Sequence, residues 1–416
     1  MKKIIAQYGG LKKEIYVLFV GKLVTAMGSF VWPMLTFFLT TKLGFSDGMA
    51  TLYMAAASTL LLPVALLGGK LADRFSRKNI IIVFDLLTVS LYVLASILPI
   101  GIHTAVLVFF AGMFQTIESP AYDALNADFS TTKDREKAFS LSYMGFNLGF
   151  VVGASVAGLL FEFHTNLAFL LNGLAILTST VLIWIFVDPK NAVGREETAE
   201  ESYGEYETPV DDGVSVMSIL KERKVVLLMI LVGCFASMPE SIAGIILPLQ
   251  LKESMGQSGA AIYGYLNSLN GFTVILFTPI LTMLMRRITE IPKVMCGLML
   301  YTVGLVIFSA DSFVWLLFLG MFIYTLGEVV TVLGANPYSS RRIPASHRGR
   351  VAGLSSVIRS LCSSFTQFLI SFILSATASN YHLIWMIFIG CGILAILLYS
   401  MLYGKDKRTF PILYNR

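Results

Sequence analysis

Six ionisable residues stand inside long apolar stretches of this chain: Lys22, Asp85, Glu118, Glu240, Glu328 and Arg359. A charge at the centre of a membrane helix costs about 2.5 to 3.5 kcal/mol on insertion scales, so such residues are rare and tend to work. Their chemistry is that of protons and ion pairs. A carboxyl held between an apolar wall and a nearby cation is suited to bind and release a proton, and an unpaired buried charge is costlier than a paired one. Partners are therefore expected. With a rise of 1.5 Å per residue, Lys22 and Glu118 lie about 10 and 12 Å from the cytoplasmic ends of their predicted helices, and Glu328 and Arg359 about 12 Å. This suggests one pair in each half of the chain. Glu240, roughly 25 Å along its helix, lies toward the outer face as a gate or a wet residue. Lys22 and Asp85 stand close enough to the interface for snorkelling to compete with function. Glu328 is the first candidate for a proton site and Glu118 the second, with a static ion pair as the alternative for both.

The elements that position these groups are membrane helices. Of 416 residues, 56% are hydrophobic and only 14% are charged, too apolar for a soluble core of that size. Continuous apolar runs long enough to cross a bilayer recur along the chain. Twelve helices are predicted, over 15–40, 48–69, 79–99, 104–126, 137–161, 166–187, 224–251, 259–285, 293–310, 313–336, 350–377 and 381–403. Continuous rather than alternating hydrophobicity excludes a β-barrel, and no room is left for an enzyme domain.

Lys and Arg concentrate in one set of loops: Lys2, Lys3, Lys12, Lys13; Lys70, Arg74, Arg77, Lys78; Lys133, Arg135, Lys137; Arg286, Arg287, Lys293; Arg341, Arg342, Arg348, Arg350; and Lys405, Lys407, Arg408. The opposite loops hold Lys42 and Lys252. Both termini are expected in the cytoplasm. The net charge of +5 is this asymmetry, and no nucleic-acid partner is needed to explain it. No cleavable signal is expected, because the first apolar run is too long for an h-region. Cys234, Cys296, Cys362 and Cys391 fall in predicted spans as small apolar residues, with no chemistry assigned. His103, His164, His347 and His382 lack ligand spacing, so no metal site is expected. No Gly-x-x-x-x-Gly-Lys-Ser/Thr sequence occurs, so no nucleotide cofactor is expected either.

Residues 188–222 break the pattern with Glu196, Glu197, Glu200, Glu201, Glu205, Glu207, Asp211 and Asp212 among Gly and Pro, the composition of a solvated linker. The chain is read as a six-helix half over 1–187, an acidic cytoplasmic linker over 188–222 and a second six-helix half over 223–416. Landmarks recur between the halves: Leu43-Gly44 with Met255-Gly256, and Asp134-Arg135 with His347-Arg348. A common offset suggests a duplication with parallel repeats.

The loop Gly69, Asp73, Arg74, Arg77 and Lys78 between helices 2 and 3 matches the signature of the major facilitator superfamily, which the chain resembles over essentially its full length. Also similar are the helix 4 to 5 passage Pro120, Asn126, Asp128, Arg135, Ala138, Asn147, Gly149, Gly153, and Tyr324-Thr-Leu-Gly-Glu328. The last is like proton-driven multidrug exporters of the drug:proton antiporter type and like proton-coupled peptide carriers. The resemblance implies a cavity lined by helices 1, 4, 7 and 10, and a cytoplasmic gate in which Asp73 meets the N-terminus of helix 11 near Gly349 and Arg77 meets Asp128. Gly69 would let helices 2 and 3 approach closely. The alternative is that these charges serve topology alone. Ser76 replaces the family's usual glycine, and Gly153-Ala154 stands where exporters carry Gly-Pro.

The reading is an all-α membrane protein of twelve helices, a monomeric secondary carrier of the cytoplasmic membrane rather than an enzyme. It exports amphipathic or drug-like small molecules against protons by alternating access. Proton-coupled uptake of a sugar or peptide, a lipid flippase and a non-transporting receptor on the same fold are the alternatives.

Overall fold

The computed structural model describes residues 9–131, 134–192, 216–256, 258–310, 313–343, 345–377 and 379–414. Among them the chain is all helix, with no strand. The long helices are α1 Lys13–Met27, α2 Asp47–Arg74, α3 Arg77–Ile97, α4 Ile102–Asp128, α5 Arg135–Phe163, α6 Thr165–Phe186, α7 Lys224–Met255, α8 Ser258–Leu284, α9 Glu290–Ser309, α10 Val314–Arg342, α11 Ala345–Ala376 and α12 Tyr381–Thr409. Eleven of these, α2 to α12, are long and apolar enough to cross a membrane. The fold is a twelve-helix membrane fold.

The first predicted span, 15–40, is not one helix. α1 ends at Met27, and helix resumes only at Leu35–Phe37 and a π-helical turn at Phe38–Lys42. The sequence contains the cause. Pro33 cannot donate a backbone hydrogen bond and disfavours helical geometry at Trp32. At Gly28, a Cβ would meet Ala175 Cβ of α6 at 2.1 Å. Freed amides inside a bilayer must find partners, and Asn172 of α6 supplies one: its Oδ1 accepts from Phe30 N at 3.2 Å and lies 3.5 Å from Val31 N. The linker also holds an unforeseen short helix, Val216–Glu222.

The described residues fall into two compact units, one from Met1–Ser46, Leu60–Glu201 and Leu251–Phe272, the other from Asp47–Thr59, Ser202–Gln250 and Thr273–Arg416. Within the first, α3 packs on α4 and α6, and α1 on α5 and α6; within the second, α9 packs on α10 and α12. α9 thus repeats the contacts of α3 at the same relative positions. The paired landmarks Gly44 and Gly256 both adopt left-handed backbone, with φ of 68° and 58°, a conformation open to glycine at little cost. The spaced glycines of α5 seat the end of α1: a Cβ on Gly149 would lie 2.3 Å from Leu23 O, and one on Gly153 2.7 Å from Ala26 O.

Candidate functional site

In the first unit, α1, α3, α4 and α6 gather an uneven set of charges. Glu118 and Tyr122 stand four residues apart on one face of α4, and the Tyr122 hydroxyl donates to Leu18 O of α1 at 2.5 Å. That bond fixes the register of α4 against α1. One turn further along α1, Lys22 Nζ lies 4.8 Å from the centre of the Tyr122 ring, a cation–π contact. The Lys22 charge acts on three carboxyls: Asp85 of α3 and Glu118 and Asp123 of α4. Asp85 is 7% exposed and accepts a hydrogen bond from Thr180 Oγ1 of α6 at 2.7 Å. Asp85 is thus buried, whereas Glu118 is half-buried and Asp123 exposed. Asp123 and Thr180 were not among the residues expected here. Asp123 was legible only as a carboxylate near the C-terminal end of an apolar helix.

In the second unit, Glu240 of α7 and Arg359 of α11 line one cavity of about 100 Å3, together with Cys234, Thr331, Ser355 and Tyr399. The Arg359 charge acts on Glu240. Because α11 begins at Ala345, Arg359 sits about 21 Å along it, deeper than the predicted start implied. Glu328 shares a helical face with Tyr324, Thr331 and Ala335, at spacings of four, three and seven residues. Tyr324 donates its hydroxyl to Glu240 O at 2.7 Å, and Thr331 and Ala335 line the cavity. Glu328 thus stands on the stripe of α10 that borders the Glu240 and Arg359 cavity. Among the described residues, Thr331 Oγ1 is buried without a hydrogen-bond partner.

Of the loop residues, Arg77 forms an ion pair with Asp128, and its Nη1 also donates to Ala124 O at 3.3 Å. Lys78 Nζ donates to Trp184 O at 2.8 Å and Val187 O at 2.7 Å, capping the end of α6. Asp73 and Arg74 are exposed, and the side chains around Gly349 lie outside the described residues. The close approach expected at Gly69 is not there: a Cβ on Gly69 would meet nothing within 4 Å, whereas one on Gly68 would lie 2.6 Å from Ile117 O of α4. A helix turns about 100° per residue, so neighbouring glycines cannot both face the contact.

A second charged network lies at the ends of α9, α10 and α12. Arg342, expected in a loop, is fully buried. Its Nε and Nη2 donate to Asp406 at 2.9 and 2.6 Å, and its Nη1 to Glu290 at 3.2 Å. Tyr338 and Tyr414 donate their hydroxyls to Asp406 at 2.8 and 2.5 Å.

The sequence profile of the Major Facilitator Superfamily matches residues 17–367. A Na(+), Li(+), K(+)/H(+) antiporter of Planococcus maritimus is 24% identical over 339 residues, 77% of this chain and 80% of its own. The quinolone resistance protein NorA of Staphylococcus aureus is 28% identical over 188 residues, 44% of this chain and 47% of its own. Among solved structures, a POT family transporter in complex with 5-aminolevulinic acid superposes with a TM-score of 0.76 at 15% identity, covering 96% of this chain and 97% of that one. The nucleoside transporter NupG gives 0.74 at 11% identity, covering 94% and 100%. At these identities the superpositions speak for the fold.

Proposed function

The chain belongs to the Major Facilitator Superfamily, and we propose that within it the protein is a proton-coupled exporter of amphipathic or drug-like small molecules, working by alternating access in the cytoplasmic membrane with both termini inside. The observation that carries this reading is the surplus of carboxyls over cations in the first unit, where the Lys22 charge acts on buried Asp85, half-buried Glu118 and exposed Asp123. Asp85 and Glu118 share one ammonium, and a low-dielectric site disfavours the negative charge left uncompensated. It must bind protons or a cationic substrate, and exchange of one for the other is antiport. In the second unit, Glu240 lines one cavity with Arg359, and Glu328 stands on the same stripe of α10 as the cavity residues Thr331 and Ala335. Relatives named as a cation/proton antiporter and a quinolone resistance protein support export, and the first of them adds monovalent cations to the substrates worth testing.

The Arg77–Asp128 pair serves as part of the cytoplasmic gate, with Asp73, Arg74, Lys78 and Gly69 in the same loop. Proton-driven uptake of a polar nutrient is the second reading, favoured by the likeness to peptide-carrier folds. Direction separates the two. Purified protein in liposomes with an internal pH dye is challenged with lipophilic cations, monovalent cations, sugars and peptides, for wild type and Glu328→Gln. Export predicts protons moving opposite to a lipophilic or monovalent cation, with the exchange lost in the variant. Protons moving together with a polar solute would replace export by uptake, and silence across the panel would turn the reading to a flippase or receptor.

A further inference from the structure

Where the start of α3 meets the end of α6, a cavity of about 490 Å3 is lined by Lys78, Asn79, Ile82 and Val83 of α3, Trp184 of α6, and Pro189 just beyond it. Its lining is graded. Ile82 and Val83 follow Lys78 and Asn79 at a spacing of four, on the same face of α3 and about 6 Å further along it. Polar groups thus stand at the mouth, and apolar ones lie a turn deeper in the membrane. The water boundary falls at the level of the mouth. Trp184, Ile185 and Phe186 are 62%, 58% and 52% exposed, as apolar residues facing lipid are, and Asp188 and Lys190 follow at once. Trp184 therefore sits in the interfacial layer where indoles concentrate.

The cation at the mouth is held in place without being neutralised. Among the described residues, Lys78 Nζ gives two of its three donors to Trp184 O at 2.8 Å and Val187 O at 2.7 Å. These bonds fix the ammonium beside the cavity and leave its charge and one donor for a ligand. The turn Pro189–Asn191 adds Lys190, and Lys12 Nζ donates to Asn191 O at 2.5 Å. The carboxylates there are engaged: Asp188 accepts from Lys190 N at 3.0 Å, and Glu14 accepts from Asn191 Nδ2 at 2.7 Å. Positive potential therefore stands over an apolar floor. We propose that this cavity binds one anionic phospholipid of the surrounding bilayer, with its phosphate at Lys78 and Asn79, its glycerol beside Trp184 and its acyl chains along Ile82 and Val83. Basic pockets between membrane helices suit such head groups. A free phosphate would leave the floor unfilled, and a zwitterionic lipid would bring its own cation toward Lys78. The site rests on the membrane fold and does not require the exporter reading.

The test uses the full chain in phosphatidylcholine vesicles that carry acyl-brominated lipids, which quench nearby indoles. The Trp184 signal is the fluorescence of wild type less that of Trp184→Phe, a change at an exposed side chain. Brominated phosphatidylglycerol should half-quench this signal at a mole fraction about 5-fold lower than brominated phosphatidylcholine, the preference that one lysine near the surface confers. Lys78→Gln should erase the preference, and Lys407→Gln, at the end of α12, should keep it. Val83→Phe fills the apolar floor with Lys78 in place and should raise the mole fraction of phosphatidylglycerol required. Lys78 also holds the end of α6, so wild type is measured alone as well: intact-complex mass spectrometry in detergent should show one phosphatidylglycerol retained under conditions that strip phosphatidylcholine. Equal retention or equal quenching by the two lipids in wild type would overturn the site, as would a full preference in a Lys78→Gln variant that melts as wild type.

Discussion

Two charge clusters in this molecule, one fully buried and one partly exposed, solve opposite problems. At the ends of α9, α10 and α12, one guanidinium meets Asp406 and Glu290, and two tyrosine hydroxyls complete the coordination of Asp406. Beside α1, one ammonium stands among Asp85, Glu118 and Asp123, with Thr180 as the hydrogen-bond donor to Asp85 and an aromatic face under Lys22. A guanidinium presents five donors in a fixed fork, whereas an ammonium is a compact point charge on a flexible stem. The first cluster is saturated and locks three helices. The second has acceptors to spare.

That contrast can be broken at the saturated end first. Arg342→Met should lower stability by about 3–5 kcal/mol, since it strands Asp406 and Glu290 inside the protein; a melting curve in detergent close to wild type would show the network to be dispensable. Thr180→Val removes the hydroxyl donor to Asp85 and should cost about 1–3 kcal/mol, read from the same curves, unless Asp85 carries its own proton and has no need of the donor. A cost near zero would therefore sharpen the account in favour of a protonated Asp85.

Tyr414→Phe is a smaller perturbation, about 1 kcal/mol, with a signature in pH. Burial, and then the adjacent Asp406 carboxylate, push the Tyr414 hydroxyl above the ordinary tyrosine range. The native state therefore holds this proton where the unfolded chain has lost it, so stability is full below the unfolded tyrosine value of about 10 and falls as pH rises above it. Wild type should lose stability between pH 9 and about 11 more steeply than Tyr414→Phe; parallel curves would remove Tyr414 from the network's energetics. Arg77→Ala breaks a pair whose side chains are 25% and 34% exposed, so its stability cost should stay below about 1 kcal/mol. Its larger effect is expected in transport, as a leak or a slowed cycle in the liposome assay, and unchanged transport would reduce the pair to a topology signal.

What could be read from the sequence follows from how local each signal is. Apolar length located the helices, and a charged residue inside such a run announced Glu118, Glu328 and Arg359 as residues of interest. Pro33 signals a break that the predicted helix over 15–40 passed over, and the capping partner Asn172 lies 142 residues from Phe30, so only the fold brings them together. Arg342 resembled its exposed neighbours in a basic run, and Asp406 was hidden between Lys405 and Lys407. Their pairing across 64 residues has no local trace. Gly68 and Gly69 are indistinguishable as letters; the phase of α2 against α4 decides which one touches.

A small change in stability is also expected at Glu118, the second proton-site candidate after Glu328. Glu118→Gln removes one negative charge from a cluster that has too many, so its melting curve should match wild type to within about 1 kcal/mol. The decisive measurement is substrate-driven proton flux in liposomes for wild type and Glu118→Gln, at matched protein content and matched melting. The account predicts an intact variant in which substrate no longer drives protons; a variant that exchanges protons for substrate at the wild-type rate would contradict the claim that the undersaturated cluster is where coupling takes place.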